Sequence, residues 1–282
     1  CPTRIRTIEL SGFSSSSSST PSSKAPFGSV QPTLLNDQAV IINKAVFFNN
    51  SIFDGKNPAA NTSDDLAIAP HTPKTGGHGP HPTNRDEMAK ELGKDAHLPA
   101  TGSGSTESGQ NLFASVTGFD KGINGIMVDI ANLPGDPTAA DFSFRTLRDP
   151  CTWQAAPAPS SVTVRRGAGT GGSDRVTIIW PNQSIRNVWL EITVLPTERT
   201  GLAAPDVFLF GNLVGEGDED LVVTQTDELR ARTYPHNFLM PAPVSDSYDY
   251  NKDRFVTVTD ELLARNNKGK MLPSPQCGQV PV

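Results

Sequence analysis

One decapeptide occurs twice near the C-terminus, and it limits what the last seventy residues can become. Residues 224–233 read TQTDELRART and residues 257–266 read TVTDELLARN; seven of ten positions agree, 33 residues apart. Short oxygen-bearing side chains alternate ahead of each copy. In the second, Asp249, Asn251 and Asp253 are followed by Thr257 and Asp260. This is the 1, 3, 5, 9, 12 spacing of an EF-hand type calcium loop, with Phe255 at the seventh position offering its carbonyl. The first copy gives Glu216, Asp218, Asp220, Val222 (carbonyl), Thr224 and Asp227 at the same offsets.

An acidic turn before a short helix is also the ordinary look of a capped, solvated helix start. Tandem repetition and charge favour the ion. Residues 216–228 hold six acidic groups (Glu216, Asp218, Glu219, Asp220, Asp227, Glu228) and no basic one, so they repel one another without a cation. Two features depart from the usual loop. Position six, where glycine makes the turn, is Leu221 or Arg254, and position twelve is Asp, which reaches less far than Glu. A left-handed residue with a Cβ costs about 1–2 kcal/mol.

Asp at position twelve, with a helix only on the C-terminal side of each loop, resembles the dockerin pattern. The stretches VFFNNSIFDG, GINGIMVDIANLPGDPTAADFSF, GAGTGGSDRVTIIW and TGLAAPDVFLFGN, with the repeated TDEL segments, extend the likeness. From about residue 40 the chain resembles the C-terminal region of large secreted proteins of planctomycete-type bacteria. In that family a β-sandwich module precedes a divergent dockerin-like calcium pair. The resemblance implies Ca2+ and an extracellular, secreted or cell-surface location, and no particular reaction. Residues 1–35 and 66–108 depart from the pattern.

Composition agrees with a loop-rich secreted chain. Gly and Pro number 24 each and only 19% of residues are charged. A net charge of −6 argues against a nucleic-acid surface. No run approaches the roughly 20 apolar residues a membrane helix needs. The chain opens at Cys1 without Met, which suggests processing or a fragment. Cys1, Cys151 and Cys277 have no metal-site spacing; one internal bridge is possible, and Cys151–Cys277 would tie the sandwich to the tail.

The expected fold is mainly β, a β-sandwich with a small α-helical dockerin-like domain and an extended N-terminal arm. Residues 1–35 form the arm, 36–200 the sandwich with an insertion at 66–108, 201–267 the calcium pair and 268–282 a tail. In the arm, Ile5, Ile8 and Leu10 belong to a weak strand ahead of a Ser-rich run, which could add to a neighbouring subunit's sheet. Strands are expected at 38–49, 111–117, 123–131, 141–147, 160–166, 174–180 and 185–195. Val207–Val214 has apolar spacing near 3.6 and is expected as a short helix packing on Leu229 and Leu262. Phe238, Leu239 and Met240 are expected to complete that small core.

Other motifs carry less. Asp54, Asp64 and Asp65 fit either a structural calcium or, more simply, a solvated turn. His71, His78, His81 and His97 surround a short helix, without the spacing of a metal site. Trp153, Trp180 and Trp189 could stack on a sugar, but core packing is the plainer role. Gly167–Gly172 matches GxGxxG, yet no helix follows to meet a phosphate, so it reads as a hairpin. No nucleophile elbow, zinc-protease motif or phosphate loop is present, so no enzyme is expected. Two functions remain. One is a calcium-binding structural protein that self-assembles head to tail into a filament or surface layer. The other is a recognition module for a glycan or a cohesin-like protein, read through Gln225, Thr226, Val258 and Thr259.

Overall fold

The computed structural model describes residues 38–70, 115–148, 152–218 and 220–275. The arm with Ile5, Ile8 and Leu10, the histidine-containing insertion, Cys151 and Cys277 lie outside the described residues.

Among the described residues, nine strands form two sheets. The first sheet runs β1 (Val40–Val46), β3 (Gly125–Ala131), β7 (Asp174–Ile179), β6 (Ser161–Arg165), all antiparallel. The second runs β2 (Val116–Thr117), β9 (Asp206–Asn212), β8 (Val188–Val194), β4 (Phe142–Arg148), β5 (Thr152–Ala155). Among the described strands, only β2 and β9 pair in parallel.

Side chains from both sheets share one buried core. Ile126, Val128 and Ile130 of β3 and Val176 and Ile178 of β7 meet Leu190, Ile192 and Val194 of β8 and Phe208 and Phe210 of β9. Their β-branched and aromatic character suits a pleated buried surface, and each fully buried side chain contributes about 1.5–3 kcal/mol. Trp180 and Trp189 are also buried, so neither offers a sugar a face. Trp153 is half-buried on the edge strand, with the Arg145 guanidinium 5.4 Å from its ring centre.

The expected helix at Val207–Val214 is instead strand β9. Phe208 and Phe210 point into the core, whereas Val207 is exposed. A short apolar run does not distinguish the two periods, and pairing with β8 on one side and β2 on the other decides it. Strand β5 has no counterpart in the sequence reading; it is a four-residue edge paired to β4.

Two helices follow, α1 (Gln225–Thr233) and α2 (Val258–Asn267). They share a second core with the outer face of the second sheet. Val223, Ala231, Tyr250, Val256, Ala264 and Leu272 pack together with Leu147 and Trp189. Phe238, Leu239 and Met240 take no part in it: they are 85%, 84% and 65% exposed. Reciprocal N–H···O bonds between Asn237 and Met240 close a tight turn there, which turns these side chains outward. Leu229 and Leu262 are 42% and 41% exposed and are not among the residues of that core.

The Asp54–Asp65 segment is not a solvated turn. Asp54 and Asp64 are buried, with Asp64 in the capping box of the helical turn Thr62–Ala67. Asp65 pairs with Arg165 and Arg175 at 2.5 and 2.7 Å.

Candidate metal centre

The decapeptide repeat becomes a pseudo-twofold pair of loop-helix units. Thr224 caps α1 and Thr257 caps α2, each accepting from the backbone N–H two residues on. At N3 of each helix, Asp227 and Asp260 reach back to the cap's own N–H at 2.8 and 3.0 Å. Both acids lie buried, and a Thr-x-x-Asp box of this kind satisfies two of the free amides at a helix start.

The same carboxylates close the loops. Asp227 accepts from Gly217 N–H at 2.9 Å, and Asp260 accepts from Tyr250 N–H at 2.9 Å. Position twelve is thereby drawn onto position two in each copy. The helices are joined by a reciprocal ion-pair set: Arg232 to Glu261 at 2.5 Å and Arg265 to Glu228 at 2.9 Å. Each residue of one pair stands 33 positions from its counterpart in the other. Strand pairing is exchanged as well. Gly269 N–H donates to Val223 O of the first loop, and His236 N–H donates to Val256 O of the second. Each loop is thus stitched to the segment that follows the other helix.

The turn at position six forms without glycine. Leu221 and Arg254 both adopt positive φ, 63° and 72°. Lys252 at position four is left-handed too, at 53°. Repeated left-handed residues with side chains require compensation elsewhere, because each is disfavoured by about 1–2 kcal/mol.

The two loops differ in how their ligands stand. In the second, Asp249 accepts from Asp253 N–H at 3.1 Å and Arg254 N–H at 2.9 Å, and Asp253 accepts from Phe255 N–H at 2.9 Å. Asn251 accepts from Asp253 N–H at 3.0 Å. In the first, Glu216 accepts from Asp218 N–H at 2.9 Å, and Asp220 from Val222 N–H at 2.8 Å. Glu216, Asp218 and Asp227 each place one oxygen so that all three lie within 4.8 Å of one another. These three acids could hold a metal ion.

Electrostatics agree with that arrangement. Burial pushes the Asp249 carboxyl up to about 7, and the nearby Asp260 carboxylate adds to the rise against the opposing pull of Lys252 and the loop amides. Asp260 is likewise raised by burial. Asp218 is raised by burial and then by its neighbours Asp227 and Asp220. Its Oδ1 is buried and accepts no hydrogen bond, while Arg230 stands 3.8 Å from Oδ2. A buried carboxylate oxygen without a donor fits a hard cation, which prefers oxygen ligands.

Every expected ligand position therefore falls in one of two loops, the first holding Glu216, Asp218, Asp220, Val222, Thr224 and Asp227, the second Asp249, Asn251, Asp253, Phe255, Thr257 and Asp260. Gln225, Thr226, Val258 and Thr259 are exposed on the first turns of the helices. Sequence reasoning missed the Arg232–Glu261 and Arg265–Glu228 set, although the matching Glu and Arg inside both decapeptides were a signal for it. Among the described residues, no helix is long and apolar enough to cross a membrane. Comparison with family models, with curated proteins and with solved structures returned no match.

Proposed function

We propose that this chain is an extracellular, non-enzymatic structural protein whose paired dockerin-like loops bind Ca2+ beside a β-sandwich. The carrying observation is the group formed by Glu216, Asp218 and Asp227, with the buried, unsatisfied Asp218 Oδ1. Carboxylates, an amide and carbonyls supply only oxygen donors, which suits calcium over a transition metal. The second loop would hold its ion through Asp249, Asn251, Asp253, Phe255 O, Thr257 and Asp260.

Calorimetric titration of the full chain tests this reading. Two calcium ions should bind, and a chelator should lower Tm. A site filled at about a thousandfold over its Kd adds about 4 kcal/mol, and about 2–4 °C of Tm accompanies each kcal/mol in a chain of this size. No heat of binding and an unchanged Tm would sink the calcium assignment.

Head-to-tail assembly through residues 1–35 is the second half of the proposal, and it rests on the sequence of the arm. Deletion of residues 1–35 should leave a folded monomer; assemblies that persist unchanged would end it. The recognition reading keeps one supporting observation, the exposure of Gln225, Thr226, Val258 and Thr259, which suits a cohesin-like partner. For a glycan, the burial of Trp180 and Trp189 leaves only the half-buried Trp153 of the three expected tryptophans.

A further inference from the structure

The two loops are alike in spacing and unlike at position two. There the first loop has Gly217, and the second has Tyr250, 33 residues on. The two positions fit each other. A Cβ on Gly217 would stand 2.8 Å from the Tyr250 hydroxyl oxygen and equally close to the Tyr248 ring. Gly118, just after β2, lies against the same Tyr250 ring, where a Cβ would stand 3.0 Å from it. Glycine at both points leaves room for a side chain of the second loop to reach the first. The Tyr250 backbone is held as well. Its N–H donates to Asp260 at 2.9 Å, and its carbonyl accepts from Asp120 N–H at 2.8 Å.

The reach delivers a polar atom, where a plain ring would have filled the space. Tyr250 is 1% exposed, and its hydroxyl has no hydrogen-bond partner among the described residues. Acceptors nevertheless surround it. Gly217, beside the hydroxyl, lies between Glu216 and Asp218 in the chain and donates its N–H to Asp227. These are the three acids whose oxygens converge within 4.8 Å. Burial, and then the nearby Asp227, Glu216, Tyr248 and Asp218, push the phenol up. A buried hydroxyl without a partner is costly, and phenylalanine would fill the same space without that cost. We propose that the Tyr250 hydroxyl is a further binding group of the first cation site, supplied by the second loop. A calcium ion among Glu216, Asp218 and Asp227 draws the three carboxylates together, and the hydroxyl donates its hydrogen bond to that shell and orients it. The proposal rests on the calcium reading of the first loop and requires no ion in the second.

Tyr250→Phe keeps the ring and removes the hydroxyl alone. Calorimetric titration of the full chain with calcium reads the effect, and Asp218→Asn identifies which binding event belongs to the first loop. In Tyr250→Phe that event should weaken about tenfold, the scale on which groups that orient a metal's ligands contribute. Thermal unfolding adds a sign that a packing role would not give. In chelator the variant should match or exceed the wild-type Tm, because a partnerless buried hydroxyl has been removed. The rise in Tm on adding calcium should be smaller than in the wild type. Equal first-loop affinity in wild type and variant overturns the proposal and leaves the calcium site standing. A variant that loses stability equally in calcium and in chelator, or does not fold, overturns it too, because the hydroxyl then serves the fold itself. If the wild-type chain binds no calcium in its first loop, the calcium reading fails and takes this proposal with it.

Discussion

Buried carboxylates occur in two settings in this molecule, and they are neutralised in different ways. On the first sheet, Asp129 is gripped by Arg175 at 2.7 Å through both Nε and Nη2, and Thr170 N–H adds a third donor. Asp65 shares the same guanidinium and takes a second from Arg165. Although burial alone would raise both acids, these partners hold Asp129 and Asp65 below the usual carboxylate range. In the loops, Asp249, Asp260 and Asp227 receive mainly backbone N–H groups. Amides alone do not offset the burial of Asp249 and Asp260, which stay raised. Asp129 and Asp65 have their counter-ions in the body's own sequence, whereas Asp249 and Asp260, like Asp54 and Asp64 of the body, are met mainly by backbone amides and stay raised.

The strongest way to break this contrast is mutation with calcium as the second variable. Asp129→Ala leaves the buried Arg175 with Asp65 as its remaining carboxylate, which should cost about 3 kcal/mol in calcium and in chelator alike. Asp260→Ala should cost about as much in calcium, because a bound ion is lost along with a helix cap, and only about 1 kcal/mol in chelator. Thermal unfolding in both buffers reads this directly; equal losses from Asp260→Ala in both would erase the distinction.

Acid should act oppositely on Asp249 and Asp129. The folded-state value of Asp249, about 7, lies above the ordinary 3.8, so folding takes up a proton between those values. In chelator, Tm should therefore rise as pH falls from about 8 to about 5. With calcium the trend reverses, since protons compete for the ligand oxygens. Asp129 is depressed, so its contribution is whole above its unfolded value and is lost only as pH falls below about 4. A chelated protein that destabilises steadily from about pH 8 to 5 would contradict the loop assignment.

Salt separates the two loops from each other. The first has no basic residue among 216–228, whereas the second contains Lys252 and Arg254. Raising ionic strength from about 0.05 to about 0.5 M should weaken calcium binding at the first loop by about tenfold and at the second by about threefold. Titrations of Asp260→Ala and Asp227→Ala, each retaining one loop, measure the two separately.

The smallest effect concerns the left-handed turns. Arg254 is exposed, so Arg254→Gly should stabilise by about 1 kcal/mol through relief of its positive φ. Leu221 packs against the second core, so Leu221→Gly should lose more than it gains. Chemical denaturation in calcium distinguishes the two signs.

The candidate site was legible because its chemistry is local. A ligand at every second position and a Thr-x-x-Asp cap are written in adjacent residues, so Asp249, Asn251, Asp253 and Asp260 can be picked out unfolded. The strands around Met127, Val176 and Leu190 were legible for a related reason, since β-branched runs between Gly and Pro turns declare themselves. Errors fell where two parts of the chain compete for one apolar segment. Val207–Val214 satisfies helix spacing, and only the unoccupied edge of β8 made it a strand. Phe238, Leu239 and Met240 are apolar enough for a core, yet that core was already filled by Leu147 and Trp189 from the sheet.

By itself, then, the sequence determined two acidic loops with capped helices and a set of β-rich segments, because those depend on neighbours a few residues away. Tertiary structure alone decided that the helix pair closes on the outer face of the second sheet and that Tyr250 and Lys252 clasp Asp120 and Ile52. The reason is physical: such contacts join residues far apart in the sequence, and their energy depends on which surfaces are left to be covered once the sheets have formed.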